Sequence, residues 1–159
     1  MSNRRFLVLA ATVAALAGCA TSSTPVSVTD TIAAQSQLST LNGLVAKAGL
    51  SDTLKSGGPY TVFAPTNEAF AKVPAKTMDE LGKDPARLKA VLAYHVVPGK
   101  VMAADVKNGN TKTVNGANVA LSKAGEFVTV EEAMVQTADI SATNGVVHIV
   151  DAVLIPPAK

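Results

Sequence analysis

Two histidines, one cysteine and one adjacent pair of glutamates are the side chains in this chain with the most chemistry to offer. His95 and His148 are the only imidazoles, so a general base or a histidine metal ligand would have to be one of them. A metal site needs several donors converging on one point. Neither His-x-x-x-His nor a His-Glu pair occurs at ligand spacing, so no metal and no other cofactor is expected. Nucleophilic catalysis has equally little to stand on, because no Gly-x-Ser-x-Gly elbow is present. Glu131 and Glu132 are neighbours, and on a strand neighbouring side chains point to opposite faces, so a shared acid-base role is not expected and a solvated turn is. Gly57-Gly58 does not open a helix in the manner of a phosphate loop and reads as a turn. No enzymatic activity is expected.

Cys19 is the only cysteine, which rules out an internal disulfide. It follows a short basic start, Arg4-Arg5, an apolar run from Phe6 to Ala17, and the small residue Gly18. A bilayer-spanning helix needs about 20 apolar residues, so the run reads as a secretory segment rather than a membrane span. Leu16-Ala17-Gly18-Cys19 resembles the lipobox of bacterial lipoprotein signal peptides. That resemblance implies diacylglycerol on the Cys19 thiol, cleavage before it, and a mature chain anchored to a membrane through its N-terminal lipid. Residues 1–18 are then the signal peptide. Ala20, rather than Asp, after the cysteine favours the outer membrane by the same resemblance.

The formal charge of +2 includes Arg4 and Arg5, whose removal leaves twelve basic and twelve acidic side chains. A neutral body offers no basic patch to displace counterions, so no nucleic-acid partner is expected. Residues 19–28, Ser/Thr-rich and without an apolar period, read as a flexible tether, which leaves 29–157 as one domain.

Within that domain, helices come first and strands second. Helix begins near Asp30 and strengthens where Leu41, Leu44, Val45 and Ala48 recur at helical spacing before Gly49. Tyr60 to Phe63 is a short β run, and Thr66 caps a helix carrying Ala69 and Phe70. Thr77-Met78-Asp79-Glu80 matches a capping box. Asp84 and Pro85 open a further helix on which Leu88, Val91, Leu92 and His95 share one face, which predicts a buried His95 and turns Tyr94 about 100° away to the surface. Beyond Pro98-Gly99 the period changes to that of strands, with turns at Asn108-Gly109, Asn115-Gly116, Lys123-Ala124-Gly125 and Asn144-Gly145. Asn115-Gly116 predicts a two-residue type I′ turn. His148 alternates with Val147 and Ile149, on the face of Val146 and Val150. The run from Val146 to Ile155 is too apolar for an edge strand and is expected inside the sheet. Helices followed by strands imply an α+β fold, or a β-sandwich with attached helices, rather than a parallel doubly wound sheet.

Three stretches carry a family resemblance: Thr61-Val62-Phe63-Ala64-Pro65-Thr66-Asn67-Glu68-Ala69-Phe70, Tyr94-His95-Val96-Val97-Pro98-Gly99-Lys100, and Asn144-Gly145-Val146-Val147-His148-Ile149-Val150-Asp151. They resemble, in order and spacing, the two signature boxes and the central Tyr-His motif of the fasciclin (FAS1) family. The resemblance implies a wedge-shaped β-sandwich of about seven strands with several helices along one edge. It also implies a non-catalytic role in cell adhesion, through a protein or glycan partner at the cell surface or matrix. The residues it implicates in binding are Tyr94, His95, Val96, Val97, Asp139 and Ile140. Two departures are visible: Asn67 stands where the first box often has Asp, and Thr137-Ala138 where many members have Glu-Pro. The alternative function from another class is a periplasmic lipoprotein that binds or senses a small molecule in an apolar pocket near His95.

Overall fold

The structure, a computed structural model, describes residues 26–156. The signal segment, Cys19 and the tether up to residue 25 lie outside the described residues.

Local signals start and stop most of the helices. α1 (Val28–Ala34) is capped by Ser27, whose hydroxyl accepts from the Asp30 amide at 3.3 Å. Val28 is fully buried, so the body begins within the stretch read as tether and the helix two residues before Asp30. A 3₁₀ turn at Ser36–Leu38 leads into α2 (Ser39–Lys47). Past α2, Gly49 adopts a φ of 66°, and the Gly49 and Leu50 amides donate back to the Ala46 and Val45 carbonyls, both at 3.1 Å. This is a complete Schellman stop, which only the left-handed conformation of the glycine permits. α3 (Ser51–Ser56) follows. Thr66 caps α4 (Asn67–Lys72) through the Ala69 amide, as its sequence predicts. Asp84 caps α6 (Pro85–Tyr94) through the amides of Ala86 at 2.9 Å and Arg87 at 3.1 Å, with Pro85 at the first position.

α5 (Ala75–Lys83) departs from expectation. It starts at Ala75, directly after Pro74 and two residues before Thr77, because Pro74 already holds a helix-compatible φ of −54°. Its carbonyl takes the Thr77 amide at 2.9 Å, so Thr77 lies inside the first turn and the capping box does not form.

Seven strands form one sheet in the order β2-β1-β7-β6-β5-β4-β3. They are β1 (Tyr60–Pro65), β2 (Val96–Pro98), β3 (Gly109–Lys112), β4 (Asn118–Ala124), β5 (Phe127–Val130), β6 (Ala133–Ala142) and β7 (Gly145–Val150). The sheet curls until its two ends approach, where the Val114 amide just past β3 donates to the Val96 carbonyl of β2 at 2.8 Å. The expected α+β class is present, and among the described residues seven strands make one nearly barrel-shaped sheet, joined by six α-helices. β7 lies inside the sheet, parallel to β1 on one side and antiparallel to β6 on the other, and is buried at every position. Its strand character ends at Val150 because Asp151 turns its carboxylate onto the Met134 amide at 2.8 Å, and residues 151–155 leave the sheet.

The alternation of β1 and β7 divides the core in two. Val62, Ala64, Val147 and Ile149 pack outward against Val28, Ile32, Leu41 and Leu88 of the helices. Phe63 and Val150 point the other way, into the curl, against Val97, Val119, Leu121 and Val130. The Asn115-Gly116 turn is a second departure. Gly116 has a φ of 89° but Asn115 stays at negative φ, and the Gly116 amide bonds the Thr113 carbonyl at 2.9 Å. A type I′ turn needs positive φ at both positions, so this is a longer loop with glycine alone left-handed.

Candidate functional site

α6 delivers Tyr94 and His95 to the seam between the two halves of the core. His95 is the C-cap residue of α6 and is 2% exposed. Its Nδ1–H donates to the Val91 carbonyl at 2.8 Å, and its Nε2 accepts from the Leu154 amide at 3.0 Å. That pairing fixes the neutral tautomer, since a lone pair must face the Leu154 N–H. Burial pushes its pKa down to about 4, against a smaller upward pull from the Val91 carbonyl. The imidazole therefore tacks the segment after β7 onto α6.

Tyr94 is buried as well, which corrects the surface position expected from the helical wheel. A wheel assumes one covered face, but the last turn of α6 enters between the helical core and the curled sheet and is covered on both. Its hydroxyl lies 2.9 Å from the Asn118 carbonyl and 3.2 Å from Glu131 Oε1. Burial and the nearby Glu131 carboxylate both raise its pKa. Glu131 sits in the β5–β6 turn at a φ of 55°, and its carboxylate also accepts from the Ala120 amide at 2.8 Å. A turn was legible there; that the carboxylate ties β4 to Tyr94 was not.

His148 occupies the second polar position in the core. It is 2% exposed, on the same strand face as Val150, and stacks on Phe63 with ring centroids 5.6 Å apart. Its Nε2–H donates to the Val101 carbonyl at 2.8 Å and its Nδ1 accepts from the Asp139 amide at 3.2 Å. Burial lowers its pKa, with smaller upward contributions from the Val101 carbonyl and the Asp139 charge. With both ring nitrogens of each histidine bonded to backbone, neither ring has a free lone pair to offer a metal ion.

Asp139 lies at a β-bulge. Thr137 pairs with Ile149 and Ile140 with Val147, so Ala138 and Asp139 together face His148. Asp139 takes the left-handed conformation, φ 58°, which Asp tolerates better than most residues. In that position its Oδ1 accepts from the Ala103 amide at 2.7 Å. Thr61 adds a third tie, donating to the Gly99 carbonyl and accepting from the Val101 amide, both at 2.8 Å. The loop after β2 is thus fastened by Thr61, His148 and Asp139. Replacing Asp139 with Ala removes one of the three ties and strains the backbone, and is expected to cost about 1–2 kcal/mol. The measurable outcome is faster proteolysis within residues 99–108 at unchanged secondary structure.

Of the six residues implicated in binding, Tyr94, His95, Val96 and Val97 are all buried, so they offer a partner almost no surface in this conformation. They lie in the interior because the motif joins α6 to β2 beneath the sheet. Asp139 and Ile140 are half-buried and reach solvent in part. The departure at Asn67 also has a structural use: its Oδ1 accepts from the Thr40 amide at 3.0 Å and its Nδ2 donates to the Ser36 carbonyl at 3.2 Å. A carboxylate could not make the second bond.

Open concave surface flanks the tacked C-terminal segment. A groove of about 660 Å³ runs between α5, α6 and residues 153–156, lined by Val73, Leu81, Ala90, Val91, Val153 and Ile155, with Asn115 and the exposed Glu80–Arg87 pair (2.9 Å) on its rim. A smaller one of about 450 Å³ lies on the other side, beside Tyr94, Glu131 and Glu132. Val153 and Ile155 line both.

These features define a one-domain α+β module whose buried histidines are spent on backbone rather than offered to substrate. The Fasciclin domain model matches residues 36–156, and the chain belongs to the fasciclin (FAS1) family. It is 41% identical to Protein sll1483 of Synechocystis over 82% of this chain and 73% of that one. It is 40% identical to the cell surface glycolipoprotein MPB83 of Mycobacterium bovis over 69% of this chain, and spans about half (49%) of that relative's length. Among solved structures, the FAS1 domain pair of the insect cell adhesion molecule Fasciclin I superposes with a TM-score of 0.63 at 24% identity, over 77% of this chain and 46% of that one, a likeness of fold.

Proposed function

We propose that this chain is a non-catalytic interaction module of the cell envelope, held to the outer membrane through a lipid on Cys19 and binding a protein or glycan partner in adhesion. The observation that carries the reading is the family membership together with the buried Tyr94-His95 pair, a site built to hold a fold. The relative named as a cell surface glycolipoprotein supports surface location, and the fold shared with a cell adhesion molecule supports the role.

Geometry agrees with tethering. The chain enters the body beside the β6–β7 hairpin, where the Val26 carbonyl accepts from the Thr143 amide at 2.9 Å. Both grooves adjoin residues 152–156, at the opposite end of β7, which at six residues is about 20 Å long. Anchoring at the entry end leaves those grooves at the end of the body farther from the attachment point. Each buried methylene contributes about 0.8 kcal/mol, so two or more acyl chains hold the protein stably. Cys19→Ser is expected to abolish palmitate incorporation and to move the protein from the membrane to the soluble fraction; label retained on the variant would contradict the anchor.

Partner binding is tested by photo-crosslinking from Ile140 and Ile155 in intact cells. A single crosslinked surface protein or glycan supports the reading, and crosslinks only to bulk lipid contradict it. The groove beside α6 favours one second reading, a small-molecule binding lipoprotein, since its volume falls in the range of ligand sites. A saturable rise in Tm with envelope metabolites or haem would select that reading.

A further inference from the structure

The sequence contains four Asn-Gly pairs, and the fold treats them differently. In such a pair the glycine amide nitrogen can attack the asparagine Cγ, unhindered by a Cβ on the attacking residue. The nitrogen gives up its proton, ammonia leaves, and a five-membered imide forms. Water then opens either imide carbonyl, leaving aspartate or isoaspartate. The net change is amide plus water to carboxylate plus ammonium, and no other reactant is needed. What decides the rate is whether side chain and backbone are free to meet.

Three of the four are held. Asn42-Gly43 lies inside α2, where helical hydrogen bonds fix the backbone. Asn108 has its Oδ1 tied to the Lys123 amide, and Gly109 is paired in the β3–β4 ladder. Asn144 is the most restrained, accepting from the Val28 amide and donating to the Leu54 carbonyl. Asn115 differs. It is half-exposed, no hydrogen bond holds its side chain among the described residues, and Gly116 is exposed at the tip of a loop outside any strand. The Asn115 amide bonds the Ala93 carbonyl at 3.3 Å and the Gly116 amide the Thr113 carbonyl at 2.9 Å, but these two loop bonds open at lower cost than a ladder or a helix.

We propose that Asn115 is the site at which this protein spontaneously deamidates. The product changes the larger groove, because Asn115 lines it together with Glu80 and Arg87. Conversion adds a negative charge there and, as isoaspartate, lengthens the backbone of the loop that joins β3 to β4. The modification does not depend on what the groove binds.

Trypsin places the four pairs on four separate peptides, with Asn115 on 113–123, Asn108 on 108–112, Asn42 on the peptide that ends at Lys47 and Asn144 on 124–159. The full chain, aged in mildly alkaline buffer, is digested and scored for aspartate and isoaspartate by mass spectrometry. Peptide 113–123 is expected to convert about ten times faster than the others, the ratio that about 1.4 kcal/mol of barrier produces. In denaturant, the four rates are expected to converge. Asn115→Gln, whose ring closure is slower, is expected to remove the conversion from 113–123. The proposal is overturned if 108–112 or 124–159 converts as fast in the folded chain, if nothing converts, or if the preference for Asn115 persists in denaturant.

Discussion

Replacing His95 with Ala is expected to destabilise the domain by about 3–5 kcal/mol, enough to lower Tm by on the order of 10 °C. The substitution leaves the Leu154 amide unpaired in the interior, which alone costs about 1–3 kcal/mol, and opens a cavity between α6 and the segment after β7. His95→Gln, which keeps an acceptor in reach of that amide, is expected to recover part of the loss. The same imidazole makes stability depend on pH. Its folded pKa is about 4 against an ordinary 6.5, so between those values the unfolded chain binds the extra proton. Its contribution is whole above pH 6.5 and lost on acidification towards pH 4, up to about 3 kcal/mol. His148 is shifted in the same direction and steepens the loss. Urea midpoints measured across this range are expected to fall with pH in the parent chain and less steeply in His95→Ala.

The second large effect is at Asn144, whose side chain joins three parts of the fold that no strand pairing connects. Its Oδ1 accepts from the first amide of α1, Val28, at 2.8 Å. Its Nδ2 donates to the Leu54 carbonyl in α3 and lies 3.4 Å from the Lys55 and Gly57 carbonyls. Its own carbonyl accepts from the Tyr60 amide at the start of β1. Asn144→Ala is expected to cost about 2–3 kcal/mol, since it strands an amide and a carbonyl that are largely covered. Asn144→Asp is expected to cost at least as much, because a carboxylate presents a negative oxygen to carbonyls that need a donor. Hydrogen exchange is the sensitive readout: amides of α1 and α3 lose protection before those of β7. Equal loss everywhere would mean that Asn144 contributes only through its turn.

Why some of this was readable from the chain and some was not follows from the range of each interaction. Caps at Thr66 and Asp84 and the stop at Gly49 act within four residues, so residue type and spacing reveal them. The continuous apolarity of residues 146–150 announces a strand covered on both faces. Thr77 misled because Pro74, three residues earlier, had already set the helix going. The burial of Tyr94 was hidden because it depends on Asn118 and Glu131, 24 and 37 residues away, closing over the far side of α6. Asn144 was visible only as half of a turn signal, since its partners near residues 28 and 54 come from other elements. The candidate binding residues were found by resemblance, but a motif does not say which way its side chains face.

The two histidines are neutral structural groups, each with both nitrogens committed to backbone. This is tested most directly by nitrogen-15 NMR of the imidazole rings in the full chain as pH is lowered. His95 is expected to be protonated on Nδ1 and His148 on Nε2, with His95 resisting a second proton until about pH 4. Rings that titrate near the ordinary 6.5 and average between tautomers would contradict this, and would return His95 to the list of residues free to meet a partner.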